Sequence, residues 1–156
     1  KKYTDKEVFS YVLERDEIFQ KYNNEISIEY KSDLIYIKDI EEIEIKDFLI
    51  AYFGSSLQYL ENFEEINNKI IKNNIKYVII FDTIFNMLNY DFYSLQINMK
   101  PSIFPIKFLS LEKLIEKFKK NDYELIFEKT EKKNKFKNNK LKKDLKVKYL
   151  IFKKMI

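Results

Sequence analysis

The only glycine among the 156 residues, Gly54, lies between an apolar run and an amphipathic pattern. Phe48-Leu49-Ile50 precedes it, and apolar residues at helical spacing begin near Phe63. An apolar run, a turn of small residues and an amphipathic helix are typical of the strand-turn-helix units of α/β sheets. The sequence therefore predicts an α/β fold with a turn at Gly54-Ser55-Ser56.

The composition is that of a globular protein. Hydrophobic residues make up 46% of the chain and aromatic residues 17%, which argues against disorder although 35% of the residues are charged. The length fits one domain over residues 1–156. No apolar run approaches the roughly 18 residues of a membrane span, and no signal peptide is evident, so we expect no membrane span.

Cysteine and histidine are both missing from the sequence. The chain has no cysteine, which excludes disulfides and thiolate metal sites and favours a cytoplasmic location. It also has no histidine, the commonest general base and the commonest metal ligand. We therefore expect no metal site, and any general base must be a carboxylate or another group.

A second buried strand is predicted over Tyr77–Phe81, a near-continuous apolar run followed by Asp82 and Thr83. In open α/β sheets, ligands bind in the crevice beyond the carboxyl ends of the strands. The turn at Gly54 and Asp82 are therefore predicted to lie at one crevice. A glycine there lets a ligand approach the backbone, and the serine hydroxyls can donate or accept hydrogen bonds. The alternative is an ordinary strand-to-helix turn without a ligand.

Hydrophobic periodicity places the remaining elements. Apolar stripes predict helices over 63–73, with Asn62 as N-cap, and over 111–118, with Ser110 as N-cap. A restricted loop is predicted between Pro101 and Pro105, the two prolines. Further strands are predicted at residues 7–14, 26–30, 92–97, 123–128 and 147–152.

Two motifs carry a resemblance to a known family. Gly-Ser-Ser-Leu-Gln-Tyr-Leu-Glu-Asn at 54–62 resembles the segment after the fourth strand of a family of class I S-adenosylmethionine-dependent methyltransferases. That family occurs in bacterial gene clusters for surface polysaccharides. Pro-Ser-Ile-Phe-Pro at 101–105, followed by Phe-Leu-Ser at 108–110, is similar to a second motif of the same family. The resemblance spans roughly residues 8–128.

The resemblance implies a Rossmann-like methyltransferase sheet, mainly parallel with an antiparallel last strand. It implies S-adenosylmethionine as the methyl donor and a small molecule or saccharide as the acceptor. In the family, a first strand and its glycine-rich turn precede the matched segment, and a chain with one glycine cannot contain such a turn. We therefore expect an amino-terminally truncated domain that binds the donor poorly on its own.

The resemblance also suggests residues for the donor. Glu14 is similar in position to the acid that ends the family's second strand, where two carboxylate oxygens accept both ribose hydroxyls. A solvated glutamate in a charged turn is the alternative. Ser32 and Asp33 follow the strand predicted at 26–30 and are candidates for the adenine side, although either can simply cap a helix. The remaining candidates for cofactor binding are Gly54, Ser55, Ser56 and Gln58.

The acceptor side departs from the family. Its Asp-Arg-Thr-Pro-Phe corresponds here to Phe-Asp-Thr-Ile-Phe at 81–85, so Asp82 replaces an arginine. Because the chain has no histidine, Asp82 is the first candidate for an acid/base role, with Asp91 and Glu61 behind it. Gln96, Pro101 and Ser102 are the candidates for substrate binding.

A lysine-rich segment, residues 129–146, carries nine lysines and two carboxylates. It is predicted to be a hairpin or loop within the domain. The alternative function is a non-catalytic binding module that uses this segment on nucleic acid or an anionic surface. Nucleic acid is the less favoured partner, because the segment lacks the arginines and interleaved aromatics of dedicated readers. A degenerate fragment that retains only its packing is a third interpretation.

Overall fold

The computed structural model describes residues 10–13, 34–37, 49–97, 103–131 and 144–155. The chain divides into two compact units, residues 1–45 and 46–156. In the first unit, β1 (Ser10–Leu13) and β2 (Leu34–Ile37) form a parallel pair. The single domain over 1–156 stays a prediction. None of the helices in the described ranges is long and apolar enough to cross a membrane.

The described part of the second unit contains six strands, two α-helices and one 3-10 turn. In chain order these are β3 (Ile50–Gly54), the 3-10 turn (Leu57–Tyr59), α1 (Phe63–Lys72), β4 (Tyr77–Asn86), β5 (Phe92–Ile97), β6 (Ile103–Ser110), α2 (Leu111–Lys119), β7 (Tyr123–Thr130) and β8 (Leu145–Lys154).

Strand β4 is the centre of the second unit's sheet. It pairs in parallel with β3 along its first half and with β6 at its end, while β8 runs antiparallel along its other edge. Strand β7 continues the sheet beyond β8, and β5 pairs antiparallel with β6. The predicted Rossmann-like α/β sheet with an antiparallel last strand is confirmed, and the β5–β6 hairpin adds a further antiparallel pair.

One face of this sheet, here called the helix face, carries both helices. Residues paired across neighbouring strands share a face, and successive residues alternate. Phe118 of α2 stacks on Phe152 of β8 with ring centroids 4.4 Å apart. Phe63 of α1 meets the edge of Phe53 of β3 at 6.2 Å. The core therefore lies between the helices and this face, and it also contains Val78, Ile80, Phe85 and Leu150.

The helices begin and end close to the predicted positions. Ser110 caps α2, since its hydroxyl oxygen accepts a hydrogen bond from the Lys113 N–H at 3.4 Å. The Asn62 side chain makes no such cap. The backbone carbonyl oxygen of Asn62 accepts the first hydrogen bonds of α1 instead. Beyond the two helices, Asn74 and Asp122 have φ values of 52° and 58°. Asparagine and aspartate tolerate this left-handed conformation, which glycine usually supplies at helix ends.

A second, smaller core lies beneath the β5–β6 hairpin. Ile106, Phe108 and Leu145 are buried together, with Tyr59, Ile84 and Phe92 packed against them. Phe92 and Phe108 are cross-strand partners with ring centroids 5.1 Å apart. The hairpin is thus anchored by apolar packing next to the 3-10 turn.

Several predicted boundaries were wrong. The strand expected at residues 48–50 is Ile50–Gly54, so Gly54 ends a strand. A loop was predicted from Pro101 to Pro105, but β6 begins within it at Ile103. Pro105 is tolerated because it pairs with Leu95 where β6 has no partner on its other side among the described strands. The strand predicted at 26–30 lies outside the described residues.

Candidate functional site

The carboxyl end of β3 lies beside the middle of β4. The two strands are parallel, and Gly54 is the register partner of Phe81. Ser55, directly after β3, therefore lies beside Asp82, which is within β4. Ligands in α/β folds bind at the carboxyl ends of the strands, and the end of β3 is such a position. The predicted meeting of the Gly54 turn with Asp82 is present in the structure.

Ser55 is held in a left-handed backbone conformation with φ of 54°. Its N–H donates a hydrogen bond to the Phe81 carbonyl oxygen at 2.9 Å. Its hydroxyl lies 3.1 Å from Oδ2 of Asp82 and 3.2 Å from the Asp82 carbonyl oxygen, so it donates to either acceptor. The Ser55 side chain is otherwise exposed at the edge of the sheet.

A bulge in β4 directs Asp82 towards Ser55. Pairing with β8 shifts register between Ile80 and Thr83, so Phe81 and Asp82 together oppose one residue of β8, Tyr149. Asp82 has φ of 49°, in the region where aspartate is tolerated better than most residues. We expected Asp82 and Thr83 beyond the end of the strand. They lie inside it, because β4 continues to Asn86.

Gly54 was expected to let a ligand approach the backbone. The space that a side chain at this position would take is already occupied. A Cβ atom built on Gly54 would lie 2.9 Å from a ring carbon of Tyr52. The Tyr52 ring therefore covers the space that a side chain at residue 54 would take. Gly54 has no positive φ, so the glycine gives room for this ring and not for a left-handed turn.

Gln58 is buried beneath the turn. Its side-chain Nε2 donates a hydrogen bond to the Ser55 carbonyl oxygen at 2.9 Å. Its Oε1 is buried and has no hydrogen-bond partner among the residues that the structure describes. Ser56 stands at the N-cap position of the 3-10 turn, but its side chain makes no capping hydrogen bond. The Gln58 side chain thus holds the Ser55 peptide group in place through Nε2. Its own Oε1 is left without a hydrogen bond to the described residues.

The turn is tied to the hairpin by Tyr59 and Gln96. The Tyr59 hydroxyl donates a hydrogen bond to Oε1 of Gln96 at 2.7 Å. The strand predicted at residues 92–97 is confirmed as β5. Gln96 is half-buried against the turn. Tyr59 was missed as a site residue, although it lies within the motif at residues 54–62.

Asp91, a reserve candidate for acid/base chemistry, has structural partners. One carboxylate oxygen accepts the Ser110 N–H at 2.7 Å, and the other lies 3.3 Å from the Lys107 ammonium. Asn86 was not considered from the sequence. It is fully buried, and its amide donates to the carbonyl oxygens of Phe108 at 2.7 Å and Tyr90 at 3.1 Å. Both residues fasten the β5–β6 hairpin to the end of β4.

Several predicted site residues lie outside the described residues: Glu14, Ser32, Asp33, Pro101 and Ser102. Glu14 directly follows β1 in the sequence, as expected for an acid after a strand. Asp33 directly precedes β2, whereas the prediction placed it after a strand. Most of the lysine-rich segment also lies outside the described ranges, between the antiparallel strands β7 and β8.

No protein-family model matches the sequence, and no curated protein matches it. Solved structures do resemble the fold. A protein from Listeria monocytogenes, provisionally described as an S-adenosylmethionine-dependent methyltransferase, has a TM-score of 0.61 and 12% identity over 96% of this chain and 81% of its own. The glycopeptide N-methyltransferase MtfA, complexed with S-adenosylmethionine, has a TM-score of 0.56 and 7% identity over 96% and 73%.

A third structure, an S-adenosylmethionine-dependent methyltransferase from Methanosarcina mazei, has a TM-score of 0.50 and 10% identity over 79% of this chain and 68% of its own. At these identities the likeness concerns the fold. The chain therefore has the Rossmann-like fold of class I S-adenosylmethionine-dependent methyltransferases.

Proposed function

We propose that this chain takes part in S-adenosylmethionine-dependent methyl transfer to a small-molecule or saccharide acceptor. The observation that carries the proposal is the hydrogen bond between Ser55, at the carboxyl end of β3, and Asp82 in the bulge of the parallel strand β4. The fold and the two sequence motifs support it. Because we expect the chain to lack the glycine-rich turn, we propose that it binds the donor weakly.

The residues at this edge fit a donor of this kind. The Asp82 carboxylate provides negative charge, which suits a ligand with a cationic sulfur. The buried Oε1 of Gln58 offers an acceptor without a partner, and a ligand N–H or O–H group can satisfy it. The exposed Ser55 hydroxyl both donates and accepts. Glu14 remains the proposed ribose ligand by resemblance.

The chemistry divides between the donor and the chain. Bound S-adenosylmethionine would supply a methyl group on a positively charged sulfur. The chain's own task is to place and align an acceptor at this edge, because alignment supplies much of the rate of a displacement. Asp82 is the proposed acceptor-side base, and the Ser55 hydrogen bond orients its carboxylate.

The proposed acceptor side is the β5–β6 hairpin next to the turn. Gln96 is held against Tyr59 there, and we propose Pro101 and Ser102 as its neighbours on the acceptor side. A saccharide is favoured by the resemblance to the surface-polysaccharide family, and one structural neighbour is a glycopeptide N-methyltransferase. No described contact favours the alternative of a lysine-based binding module over this proposal.

Ligand-observed NMR tests donor binding, since saturation transfer detects weak complexes. The probe is S-adenosylhomocysteine, with adenosine monophosphate as a comparison ligand. We expect saturation transfer to S-adenosylhomocysteine and less to the nucleotide, because the chain has no glycine-rich phosphate loop. Asp82→Ala should reduce the signal, whereas Glu112→Gln, an exposed change in the first turn of α2, should not. Equal signals for both ligands and all three proteins would contradict the proposal.

A further inference from the structure

The 3-10 turn lies between the residues proposed for the donor and those proposed for the acceptor. Its middle residue, Gln58, is 5% exposed and holds the Ser55 carbonyl oxygen through Nε2. Its last residue, Tyr59, reaches the β5–β6 hairpin, where its hydroxyl donates a hydrogen bond to Oε1 of Gln96 at 2.7 Å. Adjacent residues of one short turn therefore contact both sides of the proposed site.

The turn is anchored in the core by its first residue. Leu57 is fully buried. The Tyr59 N–H donates a hydrogen bond to the Ser56 carbonyl oxygen at 2.9 Å, and the Leu60 N–H donates one to the Leu57 carbonyl oxygen at 3.3 Å. Close-packed interiors allow only small displacements of the groups buried in them. The turn therefore sets the spacing between its two ends.

The Tyr59 ring is held by packing. It lies against the small core of Ile106, Phe108 and Leu145 beneath the hairpin. An aromatic ring is stabilised there through its apolar contact area, to which the hydroxyl adds little. A phenylalanine at residue 59 would fill the same space. Among the described residues, the hydroxyl therefore adds the contact with Gln96 and not the anchoring of the ring.

The hydrogen bond from Tyr59 restricts the Gln96 side chain. Glutamine is long and populates several rotamers unless it is held. A carboxamide donates through its nitrogen and accepts through its oxygen, so it matches a hydroxyl group, which does both. A group that is already oriented loses less freedom when a ligand binds. Tyr59 thus prepares Gln96 for an acceptor that carries hydroxyl groups.

The hairpin is also fastened at its base. The Asn86 amide donates to the Phe108 carbonyl oxygen at 2.7 Å, where β6 approaches β4. Gln96 lies near the opposite end, because the next register pair, Ile97 with Ile103, is the last of the hairpin. The contact with Tyr59 is therefore a second tie, far from the first, and it joins the hairpin to the turn that holds Ser55.

We propose that Tyr59 is a positioning residue for methyl transfer, whose hydroxyl orients Gln96 towards a hydroxyl-bearing acceptor and ties it to the donor side. This inference rests on the proposed function, which assigns Gln96 to the acceptor. A misplacement of about 1 Å between reacting groups can lower the rate by about a hundredfold. A tie between the donor and acceptor sides keeps that alignment. Tyr59 acts through Gln96 and is not itself a ligand of either reactant.

NMR of the full chain carrying Tyr59→Phe tests the proposal, because this variant removes the hydroxyl and keeps the ring. The side-chain amide resonances of Gln96 report the order of that group, which packing of the ring alone would not set. The order parameter should fall to about 0.6 or lower in the variant, the range of flexible groups. On titration with S-adenosylhomocysteine, the amides of residues 54–58 should shift in both proteins. The Gln96 side-chain amide should respond in the wild type only.

Tyr93→Phe is the matched control, because Tyr93 lies on the same hairpin and is 72% exposed. It should leave the Gln96 resonances as they are in the wild type. A Gln96 side chain equally ordered in Tyr59→Phe, or equally responsive to the ligand, would overturn the positioning role and leave the donor site intact.

Far-ultraviolet circular dichroism establishes that the variants are folded. An unfolded Tyr59→Phe variant would overturn the proposal too, since packing would then not secure the ring. No shift of residues 54–58 in the wild type would overturn the proposed function, and this inference with it.

Discussion

The Ser55 hydroxyl lies 3.1 Å from a carboxylate oxygen of Asp82, although the two residues are 27 positions apart in the chain. Both have left-handed backbones, Ser55 at the end of β3 and Asp82 in the bulge of β4. Residues other than glycine in this conformation cost about 1–2 kcal/mol each. Two such residues in contact beside the carboxyl end of β3 indicate a locally strained site, and such strain is concentrated at functional sites.

Replacing Ser55 by alanine should destabilise the fold. The variant loses the hydrogen bond to Asp82 and keeps the left-handed backbone, so we expect a loss of about 1 kcal/mol. Urea unfolding measures this loss. It can be followed by tyrosine fluorescence, because the chain has no tryptophan. The adjacent Ser56→Ala is the matched control, because the Ser56 side chain makes no capping bond, and it should change stability by less than about 0.5 kcal/mol. Equal losses in the two variants would refute a role for the Ser55 hydroxyl.

Asn74 directly follows the C-cap residue of α1 and has φ of 52°. Glycine adopts this conformation without the steric cost that any Cβ carries, so Asn74→Gly should stabilise the protein by about 0.5–1 kcal/mol. Asn74→Val should destabilise it by about 1 kcal/mol or more, because β-branched residues fit this region worst. Thermal midpoints of the two variants should move in opposite directions. A lower midpoint for the glycine variant would contradict this prediction.

Lys148 is a buried cation on the helix face, and its ammonium is paired with the Glu128 carboxylate. Removing the partner leaves a buried charge unpaired, so Glu128→Gln should cost about 1–3 kcal/mol. Lys148→Met removes the charge and keeps the apolar length of the side chain. The double variant should therefore recover most of the lost stability in chemical unfolding. A double variant as unstable as Glu128→Gln alone would show that the ion pair is not the cause.

Burial raises the pKa of Tyr123 to about 12 from an ordinary value of 10. Its hydroxyl donates a hydrogen bond to the Ile75 carbonyl oxygen at 2.8 Å. The folded state thus favours the neutral phenol, and the stability gained is complete below pH 10 and declines as the pH rises from 10 towards 12. The slope is at most about 1.4 kcal/mol per pH unit.

Tyr123→Phe isolates this effect from the other tyrosines. The variant should be less stable at neutral pH, because the Ile75 carbonyl loses a donor. Its stability should fall less steeply than that of the wild type above pH 10. Unfolding curves recorded at several pH values measure the difference. Parallel pH profiles for the two proteins would mean that Tyr123 titrates normally.

Much of the fold could be predicted from hydrophobic spacing. The stripe of Leu111, Leu114 and Phe118 predicted α2, and the apolar run from Tyr77 predicted the start of β4. The motif around Ser55 placed the edge of the sheet that the structure shows. These features depend on local periodicity and on short-range turn chemistry, which a single sequence displays directly.

The remaining features depend on contacts between distant segments. The bulge at Asp82 follows from the register with β8, which lies more than 60 residues further along the chain. Pro105 could enter a strand only because β6 has an unpaired edge there among the described strands. The hydrogen bond between Tyr59 and Gln96 joins segments 37 positions apart. None of these partners is visible in the local sequence, so these features could not be predicted from it.

The proposed site is tested most directly by two-dimensional amide NMR of the chain during titration with S-adenosylhomocysteine, a measurement that also detects weak binding. A nucleoside ligand at the end of β3 and the bulge of β4 should shift the amide resonances of Gly54 to Gln58 and of Asp82 and Thr83. Asp82→Ala should diminish these shifts. Shifts confined to β7 or the β5–β6 hairpin, or none at the highest ligand concentration, would contradict a donor site between Ser55 and Asp82.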